Sequence, residues 1–192
     1  IASGAPANAY DVIAGLEGAF ANKNVKGIII RINSPGGSPV QSELINQEIT
    51  RLRGINPTIP VYAVVEDLCA SGGYYVAVAA DQIYVSPSSI VGSIGVRMDG
   101  FEFTEALESL GIKRRLLTAG KNKGFLDPFS PMKPEQRDHA TSMLNNIHQQ
   151  FIKAVTVGRG ERLKETPEIF SGLVWTGEQS INLGLADAYG SV

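Results

Sequence analysis

The chain has 192 residues, 43% of them hydrophobic and 19% charged, which suits one sizeable core and a single globular domain over 1–192. Seventeen basic against nineteen acidic residues leave a formal net charge of -2, so no broad positive field marks nucleic acid or an anionic membrane surface as a partner. One cysteine, Cys69, excludes an internal disulfide and supplies too few thiolates for a structural zinc site, and neither a metal nor another cofactor is expected.

No apolar run approaches the 18 or so residues that span a bilayer. The opening Ile1-Ala2-Ser3-Gly4-Ala5-Pro6-Ala7 has neither a methionine nor a signal-peptide pattern, and reads as part of a longer protein.

Strands and helices then alternate. An apolar run predicts a strand over 27–32, followed by Asn33-Ser34-Pro35-Gly36-Gly37. The glycines of that segment are either a plain turn or half of an oxyanion hole, with N–H groups open at the carboxyl end of the strand. A capping box, with Ser38 as N-cap, Pro39 at the first helical position and Gln41 three residues on, starts a helix over 39–53 that Gly54 closes. A strand over 60–65, a helix over 72–80 and a strand over 82–85 continue the series, the signature of stacked β-α units around a largely parallel sheet.

Between the second strand and its helix stands Cys69-Ala70-Ser71-Gly72-Gly73-Tyr74-Tyr75. Ser71 is either a helix N-cap or a nucleophile. As a nucleophile it would feel the positive end of the helix, beside N–H groups that lack intrahelical partners. The segment is not the Gly-x-Ser-x-Gly elbow, because Cys69 stands where the first glycine belongs. Farther on, Val91-Gly92-Ser93-Ile94-Gly95-Val96 sets a second hydroxyl between glycines. A short helix over 102–110, a strand over 113–117, a polar loop over 118–132 and a long helix over 134–157 follow, the last with Met143, Leu144, Ile147, Phe151, Ile152 and Val155 on one face.

A serine needs a base. His139 and His148 are the two histidines; both fall on the long helix, nine residues or about two and a half turns apart and so about 180° out of phase, which gives a Ser-His-Asp triad little support. The alternative is a lysine whose pKa is brought from about 10.4 toward 7 or 8, at a cost on the order of 4 kcal/mol. Lys121 and Lys123 lie in Gly120-Lys121-Asn122-Lys123-Gly124-Phe125-Leu126, where the Phe-Leu pair is placed to shield an amine. The loop by itself does not choose between them.

Taken in order, Arg31 to Gly37, Ala70 to Tyr75, Val91 to Val96 and Gly120 to Lys123 resemble the signal peptide peptidase A family of serine proteases. The match extends to Gly177-Glu178-Gln179 and Leu183-Gly184-Leu185-Ala186-Asp187, so it covers nearly the whole chain. The resemblance implies an α/β, ClpP/crotonase-like fold and a homo-oligomeric Ser-Lys peptidase that degrades signal peptides and other membrane-derived peptides. It also implies a place at the bacterial or archaeal cytoplasmic membrane, outside the cytoplasm, held there by an anchor and an opening strand upstream of this chain. Carried over by position, Ser71 resembles the nucleophile, Lys123 the base, Ser93 the serine that orients the lysine, and Gly37 with Gly72 the oxyanion donors. Lys123 matches the family's Gly-x-x-Lys; the family often has an aromatic residue before that lysine, and Asn122 here keeps Lys121 as the alternative. Two competing readings are a crotonase-type acyl-CoA enzyme, which shares the sheet and the oxyanion glycines without a nucleophile, and a non-catalytic oligomeric scaffold at the membrane.

Overall fold

The computed structural model describes residues 1–164 and 166–192. Its first element, α1 (Ala9–Ala21), lies outside the helices expected from sequence; Asn8 caps it by accepting from the Asp11 N–H at 3.0 Å. The Gln41 side chain also serves α1, accepting from the Ala9 N–H at 2.8 Å. Half of the expected capping box is therefore diverted. Ser38 keeps its own half, its hydroxyl accepting from Gln41 N–H, while its N–H donates to the Ile1 carbonyl at 2.8 Å.

The alternating pattern is present as β1 (Ile28–Ser34), α2 (Pro39–Ile55), β2 (Val61–Ala70), α3 (Gly72–Ala77), β3 (Gln82–Val85) and β4 (Ile90–Gly92). α2 runs through Gly54 and ends on Asn56, whose N–H reaches the carbonyls of Leu52 and Arg53. β2 outlasts its apolar run because its two halves have different neighbours: Tyr62 to Val64 pair with β3, and Leu68 to Ala70 pair with β4. The charged residues between them find partners on β1, Glu66 with Arg31 and Asp67 with the Asn33 amide at 2.9 Å. Two short strands, β5 (Val174–Thr176) and β6 (Ala188–Tyr189), complete a six-stranded sheet of order β5-β4-β2-β3-β6, with β1 on β2 and every pairing parallel except β4 with β5.

The chain divides into two compact units, one of residues 1–95 with 148–192 and one of residues 96–147. The first holds the sheet and the core. α2 buries the stripe Ser42, Ile45, Ile49 and Leu52, and α3 is buried along its whole length, with Tyr74 at 0% exposure. The long helix α5 (Pro134–Arg159) enters this unit at His148 and outruns its expected end, since Gly158 has no Cβ to strike the Val78 carbonyl. Continuing one residue further puts Arg159, 1% exposed, onto Asp187 in a two-pronged ion pair of 2.9 and 2.8 Å, with its Nε donating to Gly184 O at 2.7 Å. Burial pushes the Asp187 carboxyl up, but the Arg159 hydrogen bonds, the Ile83 N–H and the Arg159 and Arg162 charges outweigh it and hold the group below the usual carboxylate range.

The second unit contains α4 (Thr104–Ser109) and the first half of α5 around a series of turns. No strand forms over 113–117, which corrects that expectation. Arg114 instead turns to Asp127 and stacks 5.5 Å from the Phe129 ring, so the segment spends its side chains on a loop and not on a partner strand. Among the described residues no helix is long and apolar enough to cross a membrane. A curled, largely parallel sheet with β-α crossovers is the α/β, ClpP/crotonase-like architecture.

Candidate functional site

Three parallel strands end at one place. Ser34 of β1 is level with Cys69 of β2, and Ala70 of β2 with Gly92 of β4, so the turns leaving these strands converge at the carboxyl edge of the sheet, where open α/β folds bind ligands. Cys69 is itself fully buried, and burial pushes its thiol up and away from reactivity.

Ser71 follows β2 directly, with φ 51° and ψ -123°, a region that side chains other than glycine rarely enter. Such a conformation costs about 1–3 kcal/mol and persists only where its surroundings over-determine it. Here the Ser71 N–H donates to Gly92 O at 2.8 Å, and its carbonyl accepts from Tyr75 N–H at 2.9 Å. The helix below is equally fixed: the buried Tyr74 hydroxyl donates to Leu185 O at 2.7 Å, the Tyr75 ring stacks on Phe151 at 4.9 Å, and the Asn46 amide donates to Tyr75 O at 2.7 Å. Ser71 starts α3 yet makes no side-chain capping bond, which leaves its half-buried hydroxyl free for another task.

Glycine is required where the neighbouring backbone meets it. A Cβ on Gly36, at φ 110°, would stand 2.7 Å from the Ser71 Cβ and 2.8 Å from Gly72 N, and one on Gly72 would stand 3.2 Å from Gly37 N. The turns of residues 36–37 and 71–72 are thus in direct backbone contact. Among the described residues, the N–H groups of Gly37 and Gly72 have no hydrogen-bond acceptor. Two unpaired donors beside a free hydroxyl are what a developing oxyanion needs.

Continuing the β2–β4 register by one residue sets Ser93 opposite Ser71, and Ser93 too has a positive φ, 53°. Its N–H donates to Leu173 O at 2.7 Å, and its carbonyl accepts from Gly95 N–H at 2.9 Å. His148 Nε2 lies 3.0 Å from the Ile94 carbonyl, and His139 sits edge-on to Phe125 at 5.5 Å. Both rings already have local partners.

The structure brings Ser71, Ser93, Gly37 and Gly72 together in the first unit. Lys121 and Lys123 belong to the second, on an exposed turn in which Lys123 N–H donates to Gly120 O at 3.1 Å. The turn is tied at its far end, where Asp127 meets Arg114, accepts from the Ser130 hydroxyl at 2.7 Å and follows Leu126 at φ 54°. Phe125, expected to shield an amine, packs on His139. Sequence reasoning missed the clamp of Arg159, Asp187 and Tyr74 that steadies α3. A buried arginine on an otherwise apolar helix face was the signal available.

Comparison with known proteins gives the family. A Brucella abortus protein named Na(+)/H(+) antiporter NhaA is 47% identical over 177 residues, 92% of this chain and 24% of its own length. A Methanocaldococcus jannaschii protein carrying a protease name is 38% identical over 168 residues, 88% of this chain and 53% of its own. The chloroplastic serine protease SPPA of Arabidopsis thaliana is 34% identical over 172 residues, 89% of this chain and 25% of its own. The chain therefore spans from about a quarter to about half of these relatives. The antiporter name describes transport across a membrane, and the segment shared with this chain contains no helix fit to cross one among the described residues. The model of peptidase family S49 matches residues 55–192, a stretch that includes Ser71, Gly72, Ser93, both lysines and the Asp187 clamp but begins after Gly37. The chain belongs to peptidase family S49 and is of the SppA type.

Proposed function

We propose that the chain is a serine endopeptidase working through a Ser-Lys dyad. The observation that carries the reading is Ser71 itself: a non-glycine residue held at a costly backbone geometry, its hydroxyl released from capping, beside two backbone donors without acceptors. In this reading Lys123, as a neutral amine, takes the Ser71 proton while Oγ attacks the peptide carbonyl. The oxyanion is met by the N–H groups of Gly37 and Gly72, and the lysine then gives its proton to the departing amine. Water, deprotonated by the same lysine, releases the acyl group. Ser93 accepts a hydrogen bond from the lysine and aims it.

An amine acts as a base near neutrality only when burial or nearby cations lower its pKa. Lys123 is exposed on the isolated chain, so the reading requires cover from further copies of the chain or from the bound peptide. Released signal peptides and other membrane-derived peptides are the proposed substrates, with membrane attachment through sequence outside this chain. The test is hydrolysis of an apolar fluorogenic peptide by wild type, Ser71→Ala, Lys123→Ala and Lys121→Ala under identical conditions. Loss of turnover in the first two with retention in the third is expected; retained turnover in Ser71→Ala removes the proposal.

A further inference from the structure

The two donors assigned to the oxyanion come from different segments, Gly37 ahead of α2 and Gly72 at the start of α3. Something must set the gap between them. Ser42, in the first turns of α2, lies at that gap: its side chain is fully buried, its hydroxyl donates to Ser38 O at 3.0 Å, and its oxygen lies against Gly72. A Cβ built on Gly72 would overlap this oxygen, yet would stand at an ordinary 3.4 Å from the Ser42 Cβ. Gly72 is helical, so its backbone accepts alanine; the Ser42 oxygen is the severe obstacle, and Gly37 N at 3.2 Å is a tight contact that need give only a few tenths of an ångström.

We propose that Ser42 is a positioning residue, whose hydroxyl fills the place of the side chain that Gly72 lacks and so fixes the separation of the Gly37 and Gly72 N–H groups. This rests on the oxyanion reading above and extends it to a residue that does not touch substrate. A purely structural serine here has little to do, because Ser38 already caps the helix and alanine is the better helix former.

The test uses steady-state peptide hydrolysis, inhibition by a peptide aldehyde that forms a tetrahedral adduct, and thermal melting, all on the full-length protein. Gly72→Ala should lower kcat by about 10²- to 10³-fold by displacing one donor. Ser42→Ala should lower kcat about three- to tenfold with KM within about twofold, and the double variant should recover at least about tenfold over Gly72→Ala, a coupling that independent sites do not show. Should Gly72→Ala melt early, Ser42→Cys carries the test: its larger sulfur presses on Gly72, and aldehyde affinity should fall about tenfold while KM holds. A double variant whose kcat is the product of the two single effects, or a Ser42→Cys that weakens aldehyde and KM equally, overturns the assignment of Ser42. Turnover surviving in Ser71→Ala would instead sink the underlying reading and this inference with it.

Discussion

The serine-bearing loops and the lysine-bearing turn are held in opposite ways. Around Ser71 and Ser93 the backbone itself is pinned: both residues have positive φ, both N–H groups are spent on neighbouring carbonyls, and the strands beneath are core. Across residues 96–147 no residue is buried, and Phe101 and Leu117 are 81% and 95% exposed. That turn depends on the Arg114–Asp127 ion pair and the Phe103 N–H to Pro128 O bond at 2.7 Å. On the proposed Ser-Lys reading, the nucleophile and its oxyanion donors are preorganised within one chain, whereas the lysine that must lose its proton needs cover that its own unit does not provide.

The contrast is most severely tested at Ser71. Ser71→Ala should lower kcat by at least about 10⁴-fold without loss of thermal stability. Lys123→Ala should cost about 10³-fold, within the range of a lost general base, while leaving the unfolding free energy within about 0.5 kcal/mol because the side chain is exposed. If Lys121→Ala is the inactive variant and Lys123→Ala is not, the base moves two residues. In either case the acylation rate should climb with pH from acid toward mildly alkaline conditions, as the amine deprotonates; a profile flat from about pH 5 to 9 would exclude a lysine base.

Arg159→Leu should destabilise by about 3 kcal/mol in urea, since it removes the buried two-pronged partner of Asp187 and leaves the carboxylate with the more exposed Arg162 at 3.2 Å and the Ile83 N–H. Asp187 also makes stability depend on pH. Its folded pKa lies below the unfolded one, so the contribution is complete above about pH 4 and drains away as pH falls through the folded value; Asp187→Asn should flatten that acid limb. Ser71→Gly, inactive like the alanine variant, should melt higher by about 1 kcal/mol of relieved strain. The smallest effect belongs to Leu117→Ser, within about 0.5 kcal/mol, and a larger loss would mean that this unit packs far more tightly than its exposure implies.

Much of the first unit was legible because its signals are local. Apolar runs marked β1 and β2, and Ser38 with Pro39 marked the start of α2. Signals that depend on distant partners were not legible. β5 and β6 are three and two residues long and exist only as additions to a sheet already formed. The long helix was expected to stop at 157, yet Gly158 is a close-packing site that lets it continue, and Lys113 to Leu117, expected as a strand, lie on an exposed loop. For α1 a local signal did exist, Asn8 three residues ahead of Asp11, in a stretch too rich in alanine to show a clear apolar face. At the candidate site, the order of the glycine and serine motifs was readable, whereas the backbone strain at Ser71 and the service of Ser42 arise only from the packing of α2 against α3.

The hydrogen bond from Tyr74 to Leu185 joins residues 111 positions apart, and it belongs to the clamp that steadies the helix bearing Ser71. During synthesis the serine therefore leaves the ribosome well before the segment that locks its helix. At about 5–20 residues per second the interval is roughly 5–20 s, during which α3 has its Asn46 bond and Ser71 its Gly92 bond but not the C-terminal anchor. The Tyr74 and Arg159–Asp187 contacts that hold α3 therefore form only after nearly the whole chain has been made.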